Sequence, residues 1–270
     1  VLLSHNFLQI ATSTEKVVPK EYREMRSRQR SIDAALLNRE FSRFIASPGY
    51  MLNCGLGTFL MPLCASVVLW KGGEMFAVLD AMFVETAGSV PLLQCVALCG
   101  LVSMNFMTAP SISLEGKSLW LLQSLPVEPW KIFRAKIRMQ LLLTGLPMLL
   151  CIVCMAVVYP LHLMQLLILL SFAGSYVLLI ALAGLFFGVK MPTLTWTNEI
   201  MVIKQGAPVM ITLFGGFGYV VLLFVGFMLL PGWKLGFCGY MSCFAGANLF
   251  LSLWAWLWLK KKGVVCFSTL

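Results

Sequence analysis

Charge is scarce in this sequence. Only 11% of its 270 residues are Asp, Glu, Lys or Arg, while 60% are apolar. A soluble domain carries roughly 25% charged residues, so this chain lacks the means to cover a water-facing surface. Lipid is the solvent that remains. Histidine is nearly absent, with His5 in the polar start and His162 in a tight turn, which leaves no zinc helix motif and no Ser-His-Asp pattern. Alternating apolar and polar runs are also missing, so the sequence does not read as a membrane barrel. Its apolar runs are long and continuous, and hydrocarbon accepts such segments as helices that satisfy their own backbone groups. The chain opens on Val1 rather than Met, and Val1 to Phe7 are too short and polar for a secretory signal. We therefore expect it to be cut from a longer protein.

What is present is a series of six apolar stretches, near or above the roughly 20 residues that cross a bilayer. They are 50–70, 91–108, 139–159, 163–189, 207–230 and 237–259. The second is the weakest, being short and containing Gln94, Ser103 and Asn105. Basic residues decide in its favour. With six spans, 18 of the 20 Lys and Arg fall on one side, leaving only Lys71 and Lys234 on the other. Deleting the second span scatters them almost evenly. The positive-inside bias then places both termini in the cytoplasm. The net charge of +9 is explained by that orientation, with no call for nucleic acid. The expected fold is all-α and integral to the membrane, with six transmembrane helices.

None of the expected spans holds Asp, Glu, Lys or Arg in its interior. Ion-coupled carriers use such groups at membrane depth, and channels use charged rings or filter loops. Neither is visible. Cys151 and Cys154 form a C-x-x-C, which could be redox-active or bind metal. They sit within an apolar run without His or carboxylate neighbours, and read as small hydrophobes. Gly184 and Gly188 form a GxxxG that either packs a neighbour closely or occurs by chance. Pro147 is expected to kink the third span.

The polar pieces are more informative. Residues 1–30 read as a cytoplasmic linker. From 31 to 48 the pattern is amphipathic, with Ala34, Leu37, Phe41, Phe44 and Ile45 on one face and Arg39 and Arg43 opposite. Such a helix is expected along the inner membrane surface, or else as a solvated extension of the first span. Residues 263–270 form a short tail after the six-span region 49–262. The loop 109–137 contains Ser113, a candidate helix cap, and Glu115 in the first turn, where the helix dipole favours a negative charge. Leu125-Pro126 ends the short helix and Pro129 opens the next. Leu119, Trp120 and Leu122 then form an apolar patch that either docks a partner or dips into the headgroups. Gly116-Lys117-Ser118 is not a P-loop, because Ser111 stands where the motif needs glycine and no strand precedes it. A second elbow at 190–206 carries Trp196, Glu199 and Lys204, which could bind a partner or cap helices.

The run Ile112-Ser113-Leu114-Glu115-Gly116-Lys117, followed by Trp120-Leu121-Leu122 and Ser124-Leu125-Pro126-Val127, resembles bacterial ABC exporter permeases of the type-2 class. Asn38-Arg39-Glu40-Phe41 resembles that family's connecting helix, and Trp196-Thr197-Asn198-Glu199 its second elbow. The resemblance implies a coupling helix that engages a separate ABC ATPase subunit. ATP and Mg belong to that partner, and no cofactor or catalytic residue is expected in this chain. It also implies a bacterial inner-membrane location, and a second six-span half or an identical subunit alongside. The expected ATPase contacts are Glu115, Gly116, Lys117, Trp120, Leu121 and Gln123, with Trp196, Glu199 and Lys204 at the second elbow; no substrate residue is implied. A secondary transporter or channel, and a membrane-embedded enzyme, stand as alternatives.

Overall fold

The computed structural model describes residues 31–83, 88–229 and 232–270. The expected linker 1–30 lies outside the described residues, as do Glu85 and the side chains of Lys117, Trp233 and Lys234. From Ile32 to Leu270 the described chain is mostly helical, and no strand occurs among the described residues. In order, the helices are α1 Ile32–Ala46, α2 Pro48–Cys54, α3 Leu56–Met82, α4 Ser89–Ser103, α5 Leu119–Gln123, α6 Pro129–Val158, α7 Leu163–Lys190, α8 Glu199–Gln205, α9 Ala207–Leu229, α10 Gly232–Trp258 and α11 Val264–Ser268. A 3₁₀ turn at Ser113–Ser118 precedes α5, and a π turn at Leu259–Gly263 joins α10 to α11.

Among the described residues, five stretches are long and apolar enough to cross a membrane: Leu56–Met82, Pro129–Val158, Leu163–Lys190, Glu199–Leu229 and Gly236–Ser268. The chain is thus an all-α protein of multi-pass membrane character. The expected second span differs. Its helix, α4, stops at Ser103 after 15 residues, a rise of only about 22 Å against a hydrocarbon core of about 30 Å. The expected first span also shifts. Its helix begins at Leu56 after a break at Gly55 and runs to Met82, carrying Lys71, Glu74 and Asp80 in its last turns. Charge placed there reads as a loop in sequence, yet it continues the helix beyond the apolar run. The expected tail is helical in part, with Phe267 of α11 fully buried. Helix α6 runs through Pro147 without interruption.

After α4 the backbone is irregular from Met104 to Ile112, yet almost every residue there is buried. Non-helical backbone among apolar helices must find partners in the protein, and here neighbouring segments supply them. Phe106 N–H donates to the Cys54 carbonyl at 3.0 Å, and the Asn105 side chain accepts from Thr58 N–H at 3.0 Å. Gln140 of α6 works in both directions: its amide donates to the Asn105 carbonyl and its oxygen accepts from Thr108 N–H, each at 2.8 Å. Tyr50 donates to the Met107 carbonyl at 2.6 Å, and Thr108 Oγ1 donates to the Ala181 carbonyl at 2.8 Å. The bonds to Phe106 N–H, the Asn105 and Met107 carbonyls and Thr108 N–H replace rungs that a continued helix would have made internally, while the Asn105 and Thr108 side chains fasten the segment to α3 and α7.

The GxxxG on α7 acquires its meaning here. A Cβ on Gly184 would stand 2.5 Å from Thr108 Oγ1, and one on Gly188 would stand 2.7 Å from the Ala109 carbonyl oxygen. The two glycines hold no neighbouring helix. They admit the irregular strand of backbone against α7. Deeper in the bundle, Ser103 and Tyr176 share a hydrogen bond at 2.7 Å, and Tyr219 donates to Asn248 at 2.9 Å.

The glycine contact is directly measurable. Gly188→Val is expected to lower the thermal midpoint of the purified chain, with a loss of about 1–3 kcal/mol from overpacking. Gly174→Ala, at a helical glycine with nothing within 4 Å of the added Cβ, is expected to leave the midpoint unchanged or slightly raised.

Candidate functional site

All the polar connections on the basic side of the sequence gather at one end of the bundle, where α1, the 109–128 loop, the start of α6 and the second elbow meet. The centre is Lys136, on the second turn of α6 and fully buried. An unpaired ammonium in such a place would be prohibitive. Lys136 Nζ lies 2.9 and 3.0 Å from the two oxygens of Glu40 on α1 and 3.0 Å from Glu115 Oε1, and it donates to the Ser111 carbonyl at 3.3 Å. Glu115, only 2% exposed, is met from α1 by Arg39 Nη2 at 2.9 Å and Arg43 Nη1 at 2.6 Å. Arg134 and Arg138 of α6 reach Asp33 of α1 at 3.2 and 3.7 Å around the rim. Three segments are thereby clamped through opposite charges.

This arrangement alters the expected face of α1. Leu36, Glu40 and Phe44 form the buried line, with Leu37 and Phe41 packed beside it, while Ala34 and Ile45 are exposed. Arg39 and Arg43, expected opposite the apolar face, both reach Glu115, with Arg39 keeping 38% of its side chain exposed. An amphipathic count of apolar residues misses a helix whose buried line is partly ionic. Burial opposes ionisation of Glu115, but the charges of Lys136, Arg43 and Arg39 outweigh it and hold the carboxyl down at about 2. The Arg39 guanidinium loses hydration in the same place, and the Glu115 carboxylate more than compensates, so its pKa is raised.

The predicted contact residues divide sharply. Glu115 and Gly116 are buried. Gly116 has φ +51°, a backbone that favours glycine, and the indole of Trp196 lies 3.0 Å from where a Cβ would sit. Ser113 does not cap the short helix as expected. Its hydroxyl accepts from Thr193 N–H at 3.0 Å, and its carbonyl accepts from Trp196 Nε1 at 2.6 Å. The second elbow is therefore pinned upon the first. Leu119 and Leu122 of α5 point into the core, which leaves Trp120 at 66% and Leu121 at 52% exposure. Gln123 donates to the Phe267 carbonyl at 2.7 Å, tying α5 to α11. Glu199 is exposed in the first turn of α8 and accepts from Ser47 Oγ at 3.4 Å, while Lys204 is exposed in its last turn. Lys117 falls in the 3₁₀ turn, and its side chain lies outside the described residues.

Between the two elbows and α1 lies an open cleft of about 720 Å³, bordered by Arg39, Arg43, Glu115, Trp196 and Glu199. Sequence reasoning missed Lys136 and Glu40 as partners of Glu115. The available signal was Glu40 itself, a carboxylate four residues from both Leu36 and Phe44 on an otherwise apolar line. Cys151 and Cys154 are unpaired and buried, and the Cys151 thiol donates to the Met61 carbonyl at 3.0 Å. No group of His, Cys, Asp or Glu among the described residues is arranged to hold a metal ion. No protein-family model, curated protein or solved structure matches the chain.

Removing one member of a buried ion cluster strands the others. Lys136→Met leaves Glu40 and Glu115 facing each other, and is expected to cost about 3–5 kcal/mol in unfolding experiments. For pH, the depressed Glu115 carboxyl contributes stability fully above the ordinary carboxylate range, near 4.5, and loses it as pH falls towards 2. The stability difference between wild type and Glu115→Gln is thus expected to be constant above about pH 5 and to shrink steadily below it, as read by thermal melting across pH.

Proposed function

We propose that this chain is the permease subunit of an ATP-driven exporter of the type-2 ABC class, lodged in a bacterial inner membrane with both termini in the cytoplasm. In this reading α4 and the irregular segment after it together make the second of six passes. ATP and Mg are held by a separate ATPase subunit, and a second six-span half or an identical subunit completes the substrate path. The single observation that carries the proposal is the presentation of Trp120 and Leu121. They are large, apolar and exposed on a one-turn helix whose other face is fixed by Leu119 and Leu122. An apolar pair held out by a rigid mount suits docking against another protein.

The mount also suits transmission of force. Glu115 lies four residues before Leu119 and is joined through Lys136 to α6, which runs unbroken from Pro129 to Val158. Displacement of α5 by a closing pair of ATPases would be carried to α1 and α6 through ion pairs rather than through a flexible loop. The fastened second elbow, with Trp196 against Gly116, would move with it. Glu199 and Lys204 are exposed on the same elbow and extend the contact surface. Glu115 and Gly116 act in this scheme as positioning residues beneath the contact.

The reading is tested with the chain and its cognate ATPase expressed together. Trp120→Ala with Leu121→Ala is expected to reduce ATPase co-purification and transport-coupled ATP turnover at least tenfold, while the melting temperature of the permease stays unchanged. Undiminished association and turnover in that double variant would remove the proposal's support.

A further inference from the structure

A second feature lies on the flank of the bundle, away from the elbows. Leu178 and Leu182 of α7 and Leu249, Ser252, Leu253 and Trp256 of α10 border a groove of about 310 Å³. Leu249 and Leu253 are exposed, so the groove opens sideways from two membrane-crossing helices. Its walls are apolar apart from one group. Ser252 is 2% exposed, and its hydroxyl has no hydrogen-bond partner among the described residues. A buried hydroxyl without a partner is uncommon and calls for one.

The charge beside the groove is equally specific. Trp256 packs edge-on against Trp130 at 4.7 Å, and tryptophan is enriched at the headgroup level of bilayers. One turn past Trp256 come Lys260, Lys261 and Lys262, all exposed. Helical side chains lean towards the N-terminus, which is the direction along α10 in which the groove lies from Lys260. From Lys260 to Ser252 the helix rises about 12 Å, a span in keeping with an extended lysine, a phosphate and a glycerol ester in sequence.

We infer that the α7–α10 groove binds one anionic phospholipid, with an acyl chain along Leu178, Leu182, Leu249 and Leu253, an ester carbonyl accepting from Ser252, and the phosphate at Lys260–Lys262. A packed helix from another subunit is the less suitable occupant. Helix pairs in membranes approach through small residues, and the lining contains neither Gly nor Ala. The volume also suits one flexible chain better than a helix about 10 Å across. The inference does not rest on the transport reading and holds for a permease or any other bundle of this structure.

The test uses the full chain, stripped of lipid in detergent and returned to equimolar phosphatidylglycerol and phosphatidylcholine, with retained lipid counted by native mass spectrometry. Wild type is expected to hold one phosphatidylglycerol with a preference on the order of tenfold or more, since each lysine near the surface adds attraction. The Lys260→Gln, Lys261→Gln, Lys262→Gln triple variant is expected to lose that preference while still holding one lipid of either kind. Leu253→Trp fills the groove and is expected to abolish retention. Ser252→Val, a conservative change that keeps the fold if the tryptophan variant does not, is expected to weaken retention several-fold without altering the charge preference. Equal retention of both lipids by wild type, or retention untouched by both groove variants, would overturn the assignment. So would a bound second copy of the chain that the groove variants release in place of lipid.

Discussion

Everything at the basic end of this molecule depends on one ammonium group that water does not reach. Lys136 brings a full charge into a buried position, and the structure tolerates it only because two carboxylates from different segments converge there. Glu40 arrives from the first helix and Glu115 from the loop beyond the fourth. Each carboxylate would be costly to bury without the lysine, and the lysine would be costly without them. The arginines on α1 then balance what remains of Glu115. Such a cluster contributes modestly to net stability compared with a well-packed apolar substitute, but it ties α1, the elbow and α6 together at named atoms. Apolar packing alone would allow these surfaces to slide.

The same logic, in hydrogen bonds rather than charges, governs the segment after α4. Its carbonyl and amide groups are met by Gln140 and Tyr50, and its Asn105 and Thr108 side chains bond to neighbouring helices. The glycines of α7 make room for it. Polar side chains that look like blemishes in an apolar run are thus the fasteners of an irregular one. Gln140 lies in the third helical stretch and Asn105 in the second; taken separately, each merely lowers a hydropathy score.

That explains what the sequence made legible. Continuous apolar runs and lopsided basic residues were enough to indicate a helical membrane protein, and Pro129 marked the start of α6 correctly. Glu115 and Trp120 were recognisable as important, but not as opposites, one buried and the other exposed. Local pattern carries no information about a partner 21 or 76 residues away, and it was Lys136 and Arg39 at those separations that drew Glu115 inward. The end of α4 was misplaced for the same reason. Nothing in 104–108 breaks a helix as proline would; the break is made worthwhile by distant acceptors and donors.

The irregular descent after Ser103 also couples α4 to α6. Its backbone groups would be costly to leave unpaired against lipid, and one of their partners, Gln140, comes later in the chain. A fourth helix placed alone in the bilayer would leave those groups without partners. The segment's backbone is fully partnered only once the sixth helix stands beside it, so α4 and α6 depend on one another for a satisfied backbone.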